Sequence, residues 1–171
     1  MLASLKPSNV VRVKGFTLIE LLITLTIVGI VLGVAVSGFS SWLTRTKTEE
    51  TAASLQRSLS HARSEAIKHG GRIYFCGTND GSACSATLNN GWIIFLDSDN
   101  SSQVDNGETV ISLVRLDPGN FRIVLADIAN AGAVSGVAYN HRGYSTPAVS
   151  ASITRGTYSE SFTMNRSGNF Q

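Results

Sequence analysis

The stretch Gly15-Phe16-Thr17-Leu18-Ile19-Glu20 opens an apolar run that continues to Val36, and the rest of the chain is organised around it. Between Phe16 and Val36 the only charged residue is Glu20. This length matches the roughly 20 apolar residues that a helix needs to cross the hydrocarbon core of a bilayer. Because a carboxylate is costly in hydrocarbon, Glu20 needs a partner and is a candidate functional residue.

Residues 1–15 carry three basic residues, Lys6, Arg12 and Lys14, and no acidic ones. In a secretory signal, a basic start and a short apolar core are followed by a small-residue cleavage site. No such site lies near Val36, so we expect the apolar run to stay in the mature protein. The basic residues before the run predict a cytoplasmic N-terminus and an exported C-terminal head.

Helical spacing continues beyond Val36 to about His69, with no proline between residues 37 and 68. Apolar residues recur there at intervals of three and four, which predicts an amphipathic helix. They are Ala52, Leu55, Leu59, Ala62 and Ala66. His69-Gly70-Gly71 predicts the end of the helix. We expect the apolar first half to lie in a membrane or a filament core and the second half to pack against a domain.

After Gly71 the pattern changes to short apolar segments separated by turn residues, which predicts strands. The predicted strands are Arg72–Cys76, Gly91–Leu96, Thr109–Leu116, Phe121–Leu125, Gly136–Asn140, Ala151–Thr154 and Ser159–Met164. Turns are predicted at residues 117–120 and at Arg142-Gly143. Short strands joined by turns favour antiparallel sheets. The predicted fold class is therefore α+β, with the sheets lying on the second half of the helix.

The head after Gly70 has a slightly acidic balance, because it carries six arginines against eight acidic side chains. A protein that binds nucleic acid through its phosphates usually has a basic excess, which this head lacks. The catalytic motifs G-x-S-x-G and H-E-x-x-H are absent, as is a Gly-rich phosphate loop after a strand. We therefore expect neither enzymatic activity nor a cofactor.

The two cysteines, Cys76 and Cys84, lie close together in a polar segment. If the head is exported, its thiols meet an oxidising compartment, and a disulfide between them is the natural interpretation. The alternatives are two unpaired side chains or a metal site. Two sulfurs without a nearby histidine or second cysteine pair fall short of a zinc ligand set.

An acidic segment follows the predicted strand Gly91–Leu96. Oxygen-bearing side chains fall there at positions 1, 3, 5, 9 and 12 of a calcium-loop register: Asp97, Asp99, Ser101, Asp105 and Glu108. However, Ser102 replaces the glycine needed at position 6, and the preceding element is a strand. An acidic hairpin loop is the simpler interpretation, so we predict no metal site.

The sequence Lys14-Gly15-Phe16-Thr17-Leu18-Ile19-Glu20-Leu21 resembles the prepilin leader junction of type IV pilins and type II secretion pseudopilins. The resemblance implies cleavage between Gly15 and Phe16 by a prepilin peptidase, followed by N-methylation of Phe16. The new amine at Phe16 would meet Glu20 of a neighbouring subunit, and opposite charges about 4 Å apart attract strongly away from bulk water. The alternative is a Glu20 at the membrane interface without a partner.

Two further segments are similar to the GspH/FimT-type minor pilins and pseudopilins: Ala62-Arg63-Ser64-Glu65-Ala66-Ile67, and Gly91 to Asp97. This resemblance implies a pilin-like fold. It consists of a cleaved leader (1–15), a transmembrane or filament-core helix (16–38), an amphipathic second half (39–70) and a periplasmic β-rich head (71–171).

The function implied is that of a minor structural subunit of a type IV pilus or type II secretion filament. Such a subunit is held in the inner membrane before assembly and primes or caps the fibre. The implied partners are other pilins, the prepilin peptidase and the inner membrane. A secretion subunit that contacts exported proteins is left open, because both systems use the same leader and helix.

DNA binding is the alternative function, because some members of this branch act in natural transformation. A full resemblance to those members would include a C-terminal Gly-Arg-x-Arg tract. In this chain, Asn169 and Gln171 stand where the two arginines of that tract would be. The absence of these arginines removes two phosphate contacts. A DNA-binding surface would then require Arg142, Arg155 and Arg166 to cluster in space.

Overall fold

The computed structural model describes residues 15–117 and 119–171, without the side chains of residues 34–37. One helix, α1, spans Leu18–His69. Nine strands follow in the described residues: β1 (Ile73–Gly77), β2 (Gly91–Leu96), β3 (Val110–Arg115), β4 (Arg122–Asp127), β5 (Ala133–Val134), β6 (Gly136–Tyr139), β7 (Ser145–Thr146), β8 (Val149–Arg155) and β9 (Tyr158–Met164). The chain divides into two compact units, Met1–Ser41 and Trp42–Gln171.

Local sequence explains both ends of α1. Thr17 caps the first turn, since its Oγ1 accepts a hydrogen bond from the Glu20 amide at 3.3 Å. The order Thr17-x-x-Glu20 is that of a capping box. At the other end, Gly70 has a φ of +64°, a left-handed conformation that favours glycine and stops the helix. The predicted end at His69 is confirmed, and the helix begins two residues after Phe16 because Thr17 serves as its cap.

The predicted apolar stripe of α1 forms one wall of the core of the second unit. Leu55, Leu59, Ala62 and Ala66 are fully buried, and Ala52 is 8% exposed. Removing a leucine side chain from water stabilises a fold by about 1.5–3 kcal/mol, so this stripe holds the helix to the sheets.

The first sheet has the strand order β3-β2-β1-β6-β7, and every pair in it is antiparallel. Phe75, Trp92 and Ile94 face the main core beneath the helix. The alternate positions face the other side, where Cys76, Ile93 and Phe95 form a second, smaller cluster. Because both faces of β2 are covered, its sequence is continuously apolar rather than alternating.

The second sheet has the order β5-β4-β8-β9 and is also antiparallel. It contributes side chains to the same main core, including Ile123, Leu125, Ile153 and Phe162. The structure therefore confirms the predicted α+β class, a helix packed against antiparallel sheets.

A buried polar contact and a close backbone approach fix β2 in place. Trp92 Nε1 donates a hydrogen bond to Ser58 Oγ of α1 at 2.9 Å. The preceding Gly91 has a φ of +135°, and a Cβ at this position would lie 2.1 Å from the carbonyl oxygen of Val114. Only glycine fits there, which accounts for the Gly-Trp pair that opens the strand.

The seven predicted strands are present, with bounds within two residues of the prediction. The two-residue strands β5 and β7 were not predicted, since two residues are too few to show an alternating pattern. The turn at Arg142-Gly143 is organised by Asn140, whose Oδ1 accepts hydrogen bonds from the amides of Arg142 and Tyr144. In the turn predicted at 117–120, Pro118 lies outside the described residues.

Candidate functional site

The first candidate site is the exposed apolar segment, residues 16–33. Every residue of it is exposed, with Phe16 at 83%, Leu18 at 79% and Ile30 at 69%. Contiguous apolar surface of this extent marks a surface that something else covers. By length and composition, no single helix among the described residues qualifies as a membrane span when α1 is taken in two parts, Leu18–Gly33 and Gly38–His69. The two parts qualify only together, as a bent pair.

Polar groups within the exposed apolar segment bond to the helix itself. Thr24 Oγ1 donates to the Leu21 carbonyl at 2.9 Å, and Thr26 Oγ1 donates to the Ile23 carbonyl at 2.7 Å. These hydroxyl donors are satisfied without water, as an apolar environment requires.

Glu20 lies in the first turn of α1, and its side chain is exposed. Its amide takes part in the Thr17 cap, whereas its carboxylate projects from the positive end of the helix dipole, which stabilises negative charge. Gly15 and Phe16, the residues of the predicted cleavage junction, precede this turn and are exposed as well. Residues 1–14, the rest of the predicted leader, lie outside the described residues.

The predicted disulfide between Cys76 and Cys84 is present and closes a loop against the first sheet. Inside this loop, Thr78 Oγ1 donates to the Ala83 carbonyl at 2.7 Å and accepts from the Gly81 amide at 2.9 Å. Hydrogen bonds from the Ser82 amide and hydroxyl lower the pKa of Asp80. The bonded sulfurs offer no thiolate ligands, so the alternative of a metal site at these two cysteines does not hold.

A second candidate site is the acidic loop, residues 97–108, which joins β2 to β3. Asp97, Asp99 and Glu108 each contribute a carboxylate oxygen to one group, and these oxygens all lie within 4.8 Å of one another. Ser101 and Asp105, the other two residues of the calcium-loop register, contact each other, with Ser101 Oγ donating to Asp105 Oδ2 at 2.8 Å. The structure therefore brings together three of the five side chains singled out in the sequence.

Asp97 is buried, with 1% of its surface exposed, and neither of its carboxylate oxygens accepts a hydrogen bond of ordinary geometry. Its charged neighbour is Arg72, whose Nη1 lies 3.1 Å from Asp97 Oδ2. Burial raises the pKa of Asp97, and the nearby carboxylates of Glu108 and Asp99 raise it further. The Arg72 charge and the Ser102 amide act in the opposite direction.

Arg72 is a residue of this site that the sequence did not single out. Its guanidinium also donates to Asn100 Oδ1 at 3.3 Å and to Ser102 Oγ at 2.9 Å. The antiparallel pairing of Ile73 with Leu96 places Arg72 beside Asp97, since the two residues flank that pair. The contact between Arg72 and Asp97 could have been predicted only by assigning the register of the β1–β2 hairpin from the sequence.

Two of the three arginines that a DNA-binding surface would need, Arg155 and Arg166, lie far apart. Arg155 pairs with Tyr158 at one end of the β8–β9 hairpin, and Val149 pairs with Met164 at the other end. Six residue steps at about 3.3 Å each separate these ends by about 20 Å. Arg166 follows Met164 and lies near β7, where its carbonyl accepts a hydrogen bond from the Ser145 amide at 2.8 Å. Arg155 packs instead over the Phe121 ring, 5.1 Å from its centroid.

Comparison with known proteins gives matches at both ends of the chain. The sequence profile of the family described as type II transport protein GspH matches residues 51–168. The profile of the prokaryotic N-terminal methylation motif matches residues 11–36. No curated protein sequence matches the chain at a significant level.

Among solved structures, the type IV minor pilin FimU of Pseudomonas aeruginosa strain PAO1 is similar, with a TM-score of 0.56 and 14% identity over 74% of this chain and 88% of that one. The minor pseudopilin EpsH from the type II secretion system of Vibrio cholerae has a TM-score of 0.50 and 11% identity, over 74% of this chain and 93% of that one. At these identities the likeness establishes the fold alone.

Proposed function

The chain belongs to the GspH family of type II transport proteins, and from this premise we propose that it is a minor pilin or pseudopilin that assembles into a type IV pilus or a type II secretion filament. Members of this class are structural subunits rather than enzymes. The surfaces that matter for such a function are those through which one subunit binds others.

The observation that carries the proposal is the exposed apolar segment, which lies within the matched N-terminal methylation motif. Each Leu, Ile, Val or Phe side chain removed from water contributes about 1.5–3 kcal/mol, so this segment has a strong tendency to be covered. We propose that two environments bury this segment in succession. The inner membrane covers it first, with the head in the periplasm, and the equivalent helices of neighbouring subunits cover it in the filament.

Processing prepares the segment for this transfer. We propose that a prepilin peptidase removes residues 1–15 by cleaving between Gly15 and Phe16, and that the new amine of Phe16 is then methylated. A methylated secondary amine still carries a positive charge at neutral pH. The mature chain therefore begins with a cation immediately before the first turn of α1, close to the carboxylate of Glu20.

Glu20 is then the residue that sets the register of assembly. Surrounded by apolar helices, its carboxylate would be costly to leave unpaired. The Phe16 amine of a neighbouring subunit offers the opposite charge, and at about 4 Å such a pair gains about 4 kcal/mol at an effective dielectric constant near 20. Adding a subunit at any other height would leave both charges without partners.

The test is Glu20→Ala, with Glu50→Ala as the matched control. Glu50 is an exposed acid of the same helix whose nearest cation, Lys47 Nζ, is 4.0 Å away. Both variants should be processed and should reach the membrane in normal amounts. In sheared filaments, Glu20→Ala should fall at least about tenfold below Glu50→Ala, since tenfold corresponds to only about 1.4 kcal/mol. Equal incorporation of the two variants would remove the role given to Glu20.

The position of the subunit is a further part of the proposal. Its resemblance to minor pilins and pseudopilins supports a place at or near the filament tip, where it primes or caps the fibre. Immunogold labelling of the head should then give one label at the end of a fibre. Regular labelling along the shaft would contradict this placement. Deleting the gene and measuring piliation and protein secretion in parallel would distinguish a pilus from a secretion filament.

A further inference from the structure

The acidic loop carries an excess of negative charge that has no part in the proposed filament role. Three carboxylates, those of Asp97, Asp99 and Glu108, offer oxygens within 4.8 Å of one another. Arg72 supplies one positive charge to this group through its contact with Asp97. The formal charge that remains is −2, which a single divalent cation would neutralise. In contrast to the prediction of no metal site from the sequence, we propose that the acidic loop binds one Ca²⁺ ion through Asp97, Asp99 and Glu108.

The buried carboxylate of Asp97 is the independent observation that points to a ligand. A buried carboxylate is costly unless it is paired and hydrogen-bonded. Arg72 Nη1 lies 3.1 Å from Asp97 Oδ2, but neither carboxylate oxygen accepts a hydrogen bond of ordinary geometry. A bound cation supplies the close contact that this buried carboxylate lacks.

The chemistry of the ligand set favours Ca²⁺ over Mg²⁺. Ca²⁺ accepts carboxylate oxygens in flexible geometry. Mg²⁺ demands near-ideal octahedral geometry and gives up its water molecules reluctantly, so it is seldom held by a set of protein side chains alone. Three carboxylates gathered by one loop therefore suit Ca²⁺ better than Mg²⁺. Backbone carbonyls and water complete the six to eight ligands that Ca²⁺ takes.

The loop already holds two of the ligand side chains in place. The Ser98 amide donates to Glu108 Oε1 at 2.8 Å, and the Ser101 amide donates to Asp99 Oδ1 at 2.8 Å. Ser102 stands where a calcium loop needs glycine, yet it adopts the left-handed conformation with a φ of +61°. The serine therefore does not prevent the turn, although that conformation costs a non-glycine residue about 1–2 kcal/mol. Together with the nearby Arg72 charge, this places the expected affinity in the range of extracellular calcium modules, with a Kd of about 10⁻⁴–10⁻³ M.

The test uses the full chain, purified in detergent and treated with a chelator, and titrated calorimetrically with CaCl₂ or MgCl₂. We expect one Ca²⁺ site with a Kd in the stated range and weaker binding of Mg²⁺. Asp99→Asn should weaken Ca²⁺ binding by about tenfold or more. Asp99 is exposed, so this variant avoids the folding risk of a substitution at the buried Asp97.

The matched control is Asp80→Asn, since Asp80 lies in the disulfide loop and accepts a serine amide in the same way as Asp99. This control should bind Ca²⁺ as the native chain does. The proposal is overturned if the native chain shows no saturable binding up to about 10 mM Ca²⁺, ten times the weakest expected Kd. It is also overturned if the two variants bind equally, or if Mg²⁺ binds more tightly than Ca²⁺.

Discussion

In two stretches of the same helix, α1, the apolar residues have opposite environments: they are buried in one stretch and exposed in the other. Residues 52–66 carry an apolar stripe with polar residues between its members, and the stripe is buried against the chain's own sheets. Residues 18–33 have apolar side chains on every side of the helix, with Glu20 as the only charged residue, and they are exposed throughout. A stripe can be covered by one packing partner on one side. A helix that is apolar all round has no polar side to leave in water, so it needs cover from several directions, which a membrane or a bundle of neighbouring helices provides.

The sharpest test of this contrast is the same substitution in both stretches. Leu59→Ala removes a fully buried side chain and should lower the free energy of unfolding of the head by about 2–5 kcal/mol. Leu22→Ala removes a side chain that is 51% exposed and should change it by no more than about 0.5 kcal/mol. Urea unfolding of both variants in detergent, followed by tryptophan fluorescence, measures the difference. Equal destabilisation would contradict the division of the helix into two functions.

A smaller effect is expected from the single buried hydrogen bond described between α1 and β2. Trp92→Phe leaves Ser58 Oγ buried without its donor, which should cost about 1–3 kcal/mol of stability. A double-mutant cycle with Ser58→Ala isolates the coupling between the two side chains. Strictly additive effects of the two substitutions would show that this contact does not help hold the helix to the sheet.

The smallest expected effect concerns Glu65, an acidic residue in the stretch 52–66 of α1, as Glu20 is in the stretch 18–33. Its carboxylate lies 3.3 Å from Lys68 Nζ and 3.1 Å from His69 Nε2. Desolvation raises the pKa of Glu65, but Lys68, His61 and His69 together outweigh it and bring the pKa below the ordinary value of 4.5.

A lowered pKa in the folded state means that Glu65 stabilises the fold above pH 4.5, its ordinary value, and that this contribution is lost as the pH falls through the folded pKa. Glu65→Gln should therefore remove a small part of the acid sensitivity of the melting temperature. Melting curves of the native chain and the variant from pH 7 to about pH 3 measure it. If the two curves keep a constant separation over this range, Glu65 makes no such contribution.

The parts of the fold that were predictable from sequence are those with a repeating pattern or a strong local signal. The stripe from Ala52 to Ala66 repeats at the helical period, and its burial follows from that repeat alone. The end of α1 depended on Gly70, whose left-handed conformation is a local property. The seven longer strands were recognisable for the same reason, since an apolar segment bounded by turn residues is visible without knowledge of its partners.

The parts that were not predictable depend on contacts between distant segments. Ala133–Val134 and Ser145–Thr146 are strands only because β4 and β6 supply hydrogen-bond partners. The contact of Arg72 with Asp97 depends on the register of the β1–β2 hairpin, and the separation of Arg155 from Arg166 depends on the length of the β8–β9 hairpin. No local pattern encodes such distances, so the sequence alone shows neither which side chains meet in the acidic loop nor how far apart Arg155 and Arg166 lie.

Maturation, as proposed, removes the basic leader and keeps the apolar helix behind it to join subunits together. Intact-mass and N-terminal peptide mass spectrometry of the chain recovered from purified filaments measures both parts of this proposal. We expect a mature chain that begins with N-methylated Phe16 and retains the whole of α1. A chain that begins at Met1, or at a residue beyond Val36, would contradict it.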